Sequence, residues 1–296
     1  MDVSIFSPAK INLFLAVTGR RPDGYHDLVS VAAPLDFGDE LEARSAERGA
    51  GGQFTLECDD PAVPVDGANL VLKAAQAFAA ATGWRQGVAF KLTKRIPLGA
   101  GLGGGSSNAV AALRALNRLS GGLLTEGKLA GMAATLGADC PLFLRNAPVV
   151  MRGRGERLEP PPAAAAARLS GRRVLLFKPG FAISTPWAYD RLVREAPRHY
   201  LPAPAAEARL AAWLRGSAPA EELLFNNLGG VAFAKFIALP VLLDRLRRES
   251  GLAMQMSGSG SACFALHGDD FVTASVRARI RECWGPAAFV QAARLA

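Results

Sequence analysis

The chain has 296 residues, of which 50% are hydrophobic and 20% are charged, and its formal net charge is +8. This length and composition predict a globular protein of one large or two medium domains. No apolar run is long enough to cross a bilayer, which argues against a membrane protein and predicts no membrane partner. The first residues carry no basic region followed by an apolar core, so we expect no signal peptide and a cytoplasmic location.

The cysteines and the basic residues are both scattered along the sequence. None of the four cysteines forms a Cys-x-x-Cys pair and there are only three histidines, which argues for reduced structural thiols and against a structural zinc site. The arginines and lysines form no long block and aromatic residues do not alternate with them. We therefore expect no nucleic-acid partner. A nucleic-acid-binding protein remains an alternative, which steeply salt-dependent RNA binding would reveal.

The chain opens with a dense group of predicted strands. Apolar runs and alternation predict them at residues 3–6, 11–17, 28–37 and 40–43, with a turn at 21–24. A helix is predicted at 69–81 and a further strand at 88–92. Helices at about 106–119 and 125–136 come next, and Thr125 is the predicted N-cap of the second.

The second half mixes helices and strands after a low-complexity segment. Three prolines and five alanines at 160–167 predict a surface segment without a functional role. Beyond it we predict a strand at 174–178, helices near 186–195, 204–215 and 240–250, a strand pair flanking 257–260, and a final helix near 270–282. This mixture, with strands grouped at the start, favours an α+β fold. A boundary before the proline segment predicts two domains, at 1–155 and 156–296.

The run from Gly99 to Ser107 is rich in glycine and leads directly into a predicted helix. Glycine permits turns that other residues resist, and N–H groups at a helix start bind anions, so the run predicts a phosphate site. It lacks the lysine of a Walker loop and the acidic residue that accompanies a dinucleotide fingerprint. A flexible glycine–serine linker is the alternative, against which Pro97 and the following helix argue.

Two charged residues stand in apolar surroundings, where an unpaired charge is costly. Asp139 either caps a short helix or is a catalytic carboxylate. Lys10 lies within a predicted apolar strand. It either faces solvent or protects the edge of a sheet, or it pairs with Asp139. Phosphoryl transfer requires a group that orients or deprotonates the attacking hydroxyl and cations that hold the phosphate. One carboxylate and one lysine, with magnesium on the phosphates, meet that requirement.

Three segments resemble the three motifs of the galactokinase, homoserine kinase, mevalonate kinase and phosphomevalonate kinase (GHMP) superfamily. They are residues 8–12, the loop at 97–107, and residues 256–260. Within that superfamily, the Asp-Gly-Tyr-His element at 23–26 and the Gly-Ala-Asp-Cys-Pro element at 137–141 resemble the 4-diphosphocytidyl-2-C-methyl-D-erythritol kinases. The resemblance spans nearly the whole chain. It implies a two-domain α+β GHMP kinase fold with mixed sheets and with the active site in the cleft between the domains. Residues 1–155 would then form the ATP-binding domain and residues 156–296 the substrate-side domain.

The resemblance also implies a reaction. ATP and Mg²⁺ would be used to phosphorylate the 2-hydroxyl of 4-diphosphocytidyl-2-C-methyl-D-erythritol, in the non-mevalonate route to isoprenoids. Catalysis falls to Asp139, as general base or hydroxyl-orienting group, and to Lys10 beside it. The residues expected to bind ATP are Pro97, Gly99, Gly101, Gly103, Gly104, Gly105, Ser106, Ser107 and Asn69. No metal ligand is assigned beyond Ser106 or Ser107 as candidates, and helix capping is the alternative for Asn69.

The cytidine end of such a substrate requires a flat pocket and hydrogen-bonding groups for the edge of the base. Tyr25 and Tyr189 are suited to sandwich the ring and His26 to recognise its edge. Core packing is the alternative for the two tyrosines, and the nearby aromatic residues that could replace Tyr189 in this role are Phe181 and Trp187. Thr185 is expected to contact a substrate phosphate, and Asn12 to hydrogen-bond the substrate.

Two departures from the family pattern and two further interpretations remain. The departures are the segment at 160–167 and residues 226–229, where the family is more acidic. One other interpretation is a kinase of mevalonate or homoserine, whose substrates have no base, so that an aromatic sandwich would serve no purpose. The other is a non-catalytic member, against which the intact Lys10, Asp139 and glycine loop argue. We expect a monomer or a weak homodimer.

Overall fold

The computed structural model describes residues 2–45, 52–269 and 271–296. Its strands are β1 (Asp2–Arg20), β2 (His26–Ser45), β3 (Phe54–Cys58), β4 (Val88–Thr93), β5 (Val149–Gly153), β6 (Arg157–Glu159), β7 (Arg173–Lys178), β8 (Phe225–Asn226), β9 (Met254–Met256), β10 (Cys263–His267) and β11 (Phe289–Arg294). Its helices are α1 (Leu70–Thr82), α2 (Gly104–Leu119), α3 (Glu126–Leu136), α4 (Ala163–Leu169), α5 (Thr185–Arg194), α6 (Ala203–Arg215), α7 (Leu228–Lys235), α8 (Ala238–Ser250) and α9 (Ala274–Trp284). None of the helices in these ranges is long and apolar enough to cross a membrane.

The contacts within the chain divide it into two compact units that alternate along the sequence. The first unit takes residues 1–9, 38–96 and 103–146, and the second takes residues 10–37, 97–102 and 147–296. The long strands β1 and β2 each give one part to each unit. A single boundary between residues 155 and 156 therefore differs from this division, and the assignment of ATP to one domain and substrate to the other stays a prediction.

The first unit combines a mixed group of strands with packed helices. β3 runs parallel to β4, and β4 pairs antiparallel with the last part of β2. Helix α1 begins where the Asn69 side chain accepts a hydrogen bond from the Val71 N–H, and it ends at Gly83, whose φ of 72° suits glycine. Helices α1 and α2 pack against each other, and Phe78 and Phe90 are buried. This packing fixes the start of α2, which follows the glycine loop.

The second unit contains a four-stranded antiparallel sheet in the order β11-β7-β10-β9. Residues on one face of β7, among them Leu175 and Phe177, pack with buried residues of α5, α7, α8 and α9 in one apolar cluster. The same unit holds β5, β6 and β8, and β8 runs parallel to β1 with Phe14 opposite Phe225. The turn at 257–261 joins β9 to β10 and so stands at the end of a buried strand pair.

The α+β class is confirmed, but several predicted strands are longer than the apolar pattern suggested. The strands predicted at 3–6 and 11–17 are one strand, and so are those at 28–37 and 40–43. The pattern breaks because polar residues inside these strands, including Ser7 and Asp39, are fully buried and hydrogen-bonded. Strands β3, β5, β6, β8 and β11 and helix α7 were not predicted. The final helix starts at Ala274, and the predicted start at residue 270 lies outside the described residues.

The prediction of a surface segment at 160–167 is wrong in part. Helix α4 begins immediately after Pro162, and Ala165 and Leu169 on it are fully buried. Proline is compatible with a helix start because its missing N–H is not needed there, and alanine is the strongest helix former. The Arg168 guanidinium lies 4.3 Å from the centre of the Trp213 ring and donates to the Trp213 carbonyl oxygen at 2.7 Å. These contacts attach α4 to α6.

Candidate functional site

Three successive carbonyl groups of the glycine loop are held by hydrogen bonds inside the second unit. The Ala100 carbonyl oxygen accepts from the Ala262 N–H at 3.0 Å, and the Gly101 carbonyl oxygen accepts from the Ser257 hydroxyl at 3.0 Å. The Leu102 carbonyl oxygen accepts from the Lys10 N–H at 2.9 Å. A planar trans peptide holds its N–H opposite its C=O, so the N–H groups of residues 101–103 point away from these partners. Within the described part of the chain no backbone carbonyl accepts a hydrogen bond from those three N–H groups. Such a row of N–H groups is suited to an anion.

The glycines of the loop are required for two different reasons. Gly101 and Gly103 have φ values of 73° and 72°, which non-glycine residues rarely adopt. A Cβ on Gly101 would also collide with the Ser257 carbonyl oxygen, so the loop and the turn at 257–261 approach to backbone contact. Gly105 differs, because a Cβ there would lie 3.7 Å from Leu70, an ordinary contact. A flexible linker would not require these close contacts.

The start of α2 leaves its first N–H groups without a side-chain cap. Gly103 stands at the N-cap position and has no side chain to accept from them. Ser107 is buried, and its hydroxyl accepts a hydrogen bond from the Ser7 hydroxyl at 2.8 Å. Ser106 is half-buried, and its hydroxyl bonds to the Cys140 sulfur, while burial raises the pKa of the Cys140 thiol to about 11. Ser106 is therefore the more accessible of the two hydroxyls.

Asp39 is a buried carboxylate that fixes the residues leading into the loop. One of its oxygens accepts from the N–H groups of Arg95 and Ile96, at 2.7 and 2.8 Å. The other accepts from the Lys94 ammonium and from the Asn108 amide of α2. Asp39 was not predicted as a site residue, because its partners lie more than fifty residues away and no local motif marks it. The one sequence signal for Asp39 was the break that it makes in the apolar alternation of β2.

Lys10 is buried, which contradicts the alternative that it faces solvent. The residue is only 4% exposed, and its ammonium donates to the Asn12 side-chain oxygen at 2.6 Å. The Asn12 amide in turn donates to the Ser30 hydroxyl at 3.0 Å, and Ser30 donates to the Phe14 carbonyl at 2.6 Å. This chain of bonds holds the ammonium in one direction. It also gives Asn12 a structural role beside its predicted contact with substrate.

Asp139 stands at the N-cap position of a short 3-10 helix, Cys140–Leu144, with Pro141 in its first turn. Its side chain makes no capping hydrogen bond to that helix in the described structure. The capping alternative therefore does not account for this carboxylate. The helix itself is buried at Cys140 and Leu142, so Asp139 precedes a fixed segment of the first unit.

Tyr25 lies on a braced turn and is 56% exposed, so core packing does not explain it. The Arg21 guanidinium bonds to the carboxylates of Asp23 and Asp27, and the Tyr25 N–H donates to Asp23 at 3.1 Å. These bonds fix the backbone beneath the ring. The Arg154 guanidinium lies 4.6 Å from the ring centre.

His26 is surrounded by two aromatic rings. Its ring centre lies 4.8 Å from that of Tyr189 and 6.2 Å from that of Tyr200. Its Nε2 and the Tyr200 hydroxyl are both buried and have no hydrogen-bond partner in the described residues. Burial, and secondarily the charge of Arg20, lower the pKa of His26 below its ordinary value of 6.5. A neutral ring with an unpartnered nitrogen is suited to hydrogen-bond a ligand. Tyr200 was not predicted, because nothing in its local sequence marks it.

Thr185 and the third motif come together in the second unit. The Thr185 hydroxyl lies 2.7 Å from the Ser259 hydroxyl, at the start of α5. Asn69, by contrast, is occupied at both ends of its amide, since it caps α1 and donates to the Pro64 carbonyl at 2.6 Å. Capping therefore accounts for Asn69, and its contact with ATP stays a prediction, as does the role of Pro97.

The comparisons with known proteins agree with one another. Residues 69–146 match the GHMP kinases N terminal domain. A curated 4-diphosphocytidyl-2-C-methyl-D-erythritol kinase from Synechococcus sp. (strain CC9902) is 42% identical over 279 residues, which cover 90% of this chain and 88% of the relative. The chain belongs to the 4-diphosphocytidyl-2-C-methyl-D-erythritol kinase family. The resemblance drawn from the motifs is confirmed.

Solved structures support the same family and its fold. A crystal structure of a 4-(cytidine 5'-diphospho)-2C-methyl-D-erythritol kinase is 36% identical, with a TM-score of 0.76 over 99% of this chain and all of that chain. A homoserine kinase from Cytophaga hutchinsonii has a TM-score of 0.75 over 99% of this chain and 95% of that chain, at 19% identity. The second likeness shows the fold alone. The fold therefore does not separate this family from its sister kinases, and sequence identity does.

The described residues of this family member contain no group of three or more His, Cys, Asp or Glu side chains that could hold a metal ion. A cation such as Mg²⁺ prefers phosphate oxygens and one or two protein oxygens to a full protein cage. The accessible Ser106 hydroxyl beside the uncapped N-terminus of α2 fits that sparse kind of site.

Proposed function

We propose that this chain transfers the terminal phosphate of ATP to the 2-hydroxyl of 4-diphosphocytidyl-2-C-methyl-D-erythritol, giving the 2-phosphate and ADP in the non-mevalonate isoprenoid pathway. Membership of the kinase family supports ATP as the donor. The observation that carries the proposal is the row of N–H groups at residues 101–103, which donate to no backbone carbonyl in the described residues and precede the uncapped start of α2. These groups would bind the phosphates of ATP.

We assign to Asp139 the orientation or deprotonation of the attacking hydroxyl. Its carboxylate is not used to cap the helix that follows it, which supports this role. We assign to Lys10 the stabilisation of negative charge on the transferred group, since its buried ammonium is aimed by Asn12. Mg²⁺ would neutralise charge on the phosphates, and Ser106 is the residue that would help hold it. Ser107 is less suited, because it is buried and accepts from Ser7.

We assign the cytidine end of the substrate to Tyr25, His26 and Tyr189. The exposed Tyr25 ring would stack on the base, as aromatic rings in recognition sites do. The buried Nε2 of His26, which lacks a partner among the described residues, would hydrogen-bond its edge. Thr185 would contact a substrate phosphate. A kinase of mevalonate or homoserine has no use for such groups, which favours the cytidine substrate.

Replacement of Asp139 by Asn tests the catalytic assignment. We expect kcat to fall at least about a hundredfold, the usual contribution of one positioned acid or base, while the KM for ATP changes little. ADP release under steady-state conditions measures both constants. The matched control is Glu126→Gln, which removes an exposed carboxylate from the first turn of α3 in the same unit. Near-normal turnover in Asp139→Asn would remove this residue from the mechanism.

A substrate comparison tests the reaction itself. Wild-type protein should release ADP with 4-diphosphocytidyl-2-C-methyl-D-erythritol and show no turnover above background with mevalonate or homoserine. Phosphorylation of either small alcohol, without turnover of the cytidine compound, would contradict the proposed function.

A further inference from the structure

The Tyr25 ring has one neighbour that the proposed reaction does not yet use. The Arg154 guanidinium carbon lies 4.6 Å from the ring centre, within the range of a cation–π contact. No carboxylate in the described ranges lies within ion-pair distance of Arg154, although its charge contributes to lowering the pKa of Asp23. The contact with Tyr25 is therefore the main short-range interaction of this guanidinium.

Strand register explains why Arg154 reaches Tyr25. β5 pairs antiparallel with β2, with Gly153 opposite Leu28, so the next residue of the hairpin continues toward the turn that carries Tyr25. The hairpin is itself fixed, because the Arg154 N–H donates to the Glu156 carboxylate at 2.6 Å. Gly153 and Gly155 have positive φ values and form its tight turn. Two braced segments thus hold the guanidinium and the ring together.

Tyr25 remains 56% exposed although the guanidinium is stacked against it. A planar ring has two faces, and a cation at this distance occupies one. A flat ligand that stacks on this ring would therefore take the other face. An unsupported ring on a surface turn would lose rotational freedom when a ligand stacks on it, and this loss of freedom weakens binding.

We propose that Arg154 is a positioning and specificity-determining residue for the cytidine base, acting by covering one face of Tyr25 so that the other is preset for stacking. The inference rests on the proposed function, because it requires the base to stack on Tyr25. Arg154 touches the ring and does not take part in phosphate transfer. Its removal should weaken binding of the cytidine end and leave the chemical step and the ATP site unchanged.

The test measures the affinity of cytidine 5′-diphosphate by calorimetry, together with KM and kcat for the full substrate. Arg154→Ala should raise the dissociation constant and the KM for the cytidine substrate about three- to tenfold, the scale of a cation–π contact. The kcat and the KM for ATP should stay within about twofold. Arg154→Lys, which keeps the charge and loses the planar group, should fall between wild type and Arg154→Ala. The matched control is Arg157→Ala on β6, where an exposed arginine of the same hairpin should be dispensable.

A double-mutant cycle separates positioning from a general effect on the fold. If Arg154 acts through the ring, adding Arg154→Ala to Tyr25→Ala should cause no further loss of affinity. Additive losses, an unchanged affinity, or tighter binding in Arg154→Ala would each overturn the proposal. If wild type neither binds nor phosphorylates the cytidine compound, the proposed function fails and this inference fails with it. Wild-type turnover with an unaffected Arg154→Ala variant would sink the inference alone.

Discussion

Asp39 illustrates how much of the architecture around the loop depends on one side chain. A fully buried carboxylate is costly unless each lone pair finds a donor, and Asp39 receives four. Two of these donors are backbone N–H groups that precede the loop, and one comes from α2, which follows it. The residue therefore acts on the site indirectly, by fixing both ends of the glycine-rich segment within the first unit.

Replacement of Asp39 by Ala should lower the free energy of unfolding by about 3–5 kcal/mol, because it leaves the Lys94 ammonium buried without its partner. Urea denaturation measures this change. Glu40→Ala removes the neighbouring exposed carboxylate and should alter the free energy of unfolding by no more than about 0.5 kcal/mol. Adding Lys94→Met should recover part of the loss, since the two residues are coupled. A small effect of Asp39→Ala on the free energy of unfolding would contradict the proposal that this carboxylate fixes the segments on both sides of the loop.

His26 should make stability depend on pH in a known direction. Its pKa is lowered by burial and by Arg20, so the unfolded chain binds a proton on His26 at a higher pH than the folded chain does. The free energy of unfolding should therefore decrease as pH falls below about 6.5, and His26→Gln should lack this component. Urea denaturation of both proteins across this pH range measures the difference. Identical pH profiles would show that His26 is not protected from protonation.

At the scale of elements, α4 shows the limit of judging a segment by composition. Prolines followed by alanines suggested a solvated segment, but the alanines form a helix whose Leu169 is fully buried. What the sequence could not show was the partner: α6 lies about forty residues further on and supplies Trp213. Local propensity predicted neither the burial nor the contact.

Leu169→Ala should lower the free energy of unfolding by about 2–5 kcal/mol, because it removes a fully buried side chain and leaves a cavity. Ala164→Lys changes an exposed position on the same helix and should alter that value by about 0.5 kcal/mol or less. Thermal or urea denaturation distinguishes the two. Equal and small effects would restore the interpretation of a surface segment.

The same limit applies to the site. Short sequence motifs contain Lys10, Asp139 and the glycine loop, so these residues could be identified from the sequence. The catalytic roles of Lys10 and Asp139 remain predictions. Tyr200 and Asp39 could not be predicted from the sequence, because only folding brings their partners to them. The Tyr200 ring lies near the ring of His26, which is distant in sequence, and Asp39 accepts from the Arg95 N–H at a separation of 56 residues. Strand continuity through buried polar positions was missed for the same reason.

At the scale of the whole molecule, the chain passes more than once between its two compact units. Residues 10–37 and 97–102 belong with residues 147–296, although they lie in the first half of the sequence. A fragment of residues 1–155 therefore contains strand segments whose partners are missing, including the pairing of β1 with β8.

We expect this fragment to lack a cooperative unfolding transition and the near-ultraviolet circular dichroism of fixed tertiary packing, whereas the full chain should show both. Thermal scans of the two proteins at equal concentration measure the contrast. A fragment that melts cooperatively would instead support a simple boundary near residue 155.

The close approach of Gly101 to the Ser257 carbonyl means that substitutions in two turns 156 residues apart are coupled. A side chain at position 101 could be accommodated only if the other turn changed at the same time, and two simultaneous substitutions are rare. Gly105 is under no such restriction, because space exists for a methyl group. In a selection from a randomised loop, alanine should therefore be recovered at position 105 and glycine alone at position 101. The glycine at position 101 provides room for neighbouring backbone rather than freedom of movement.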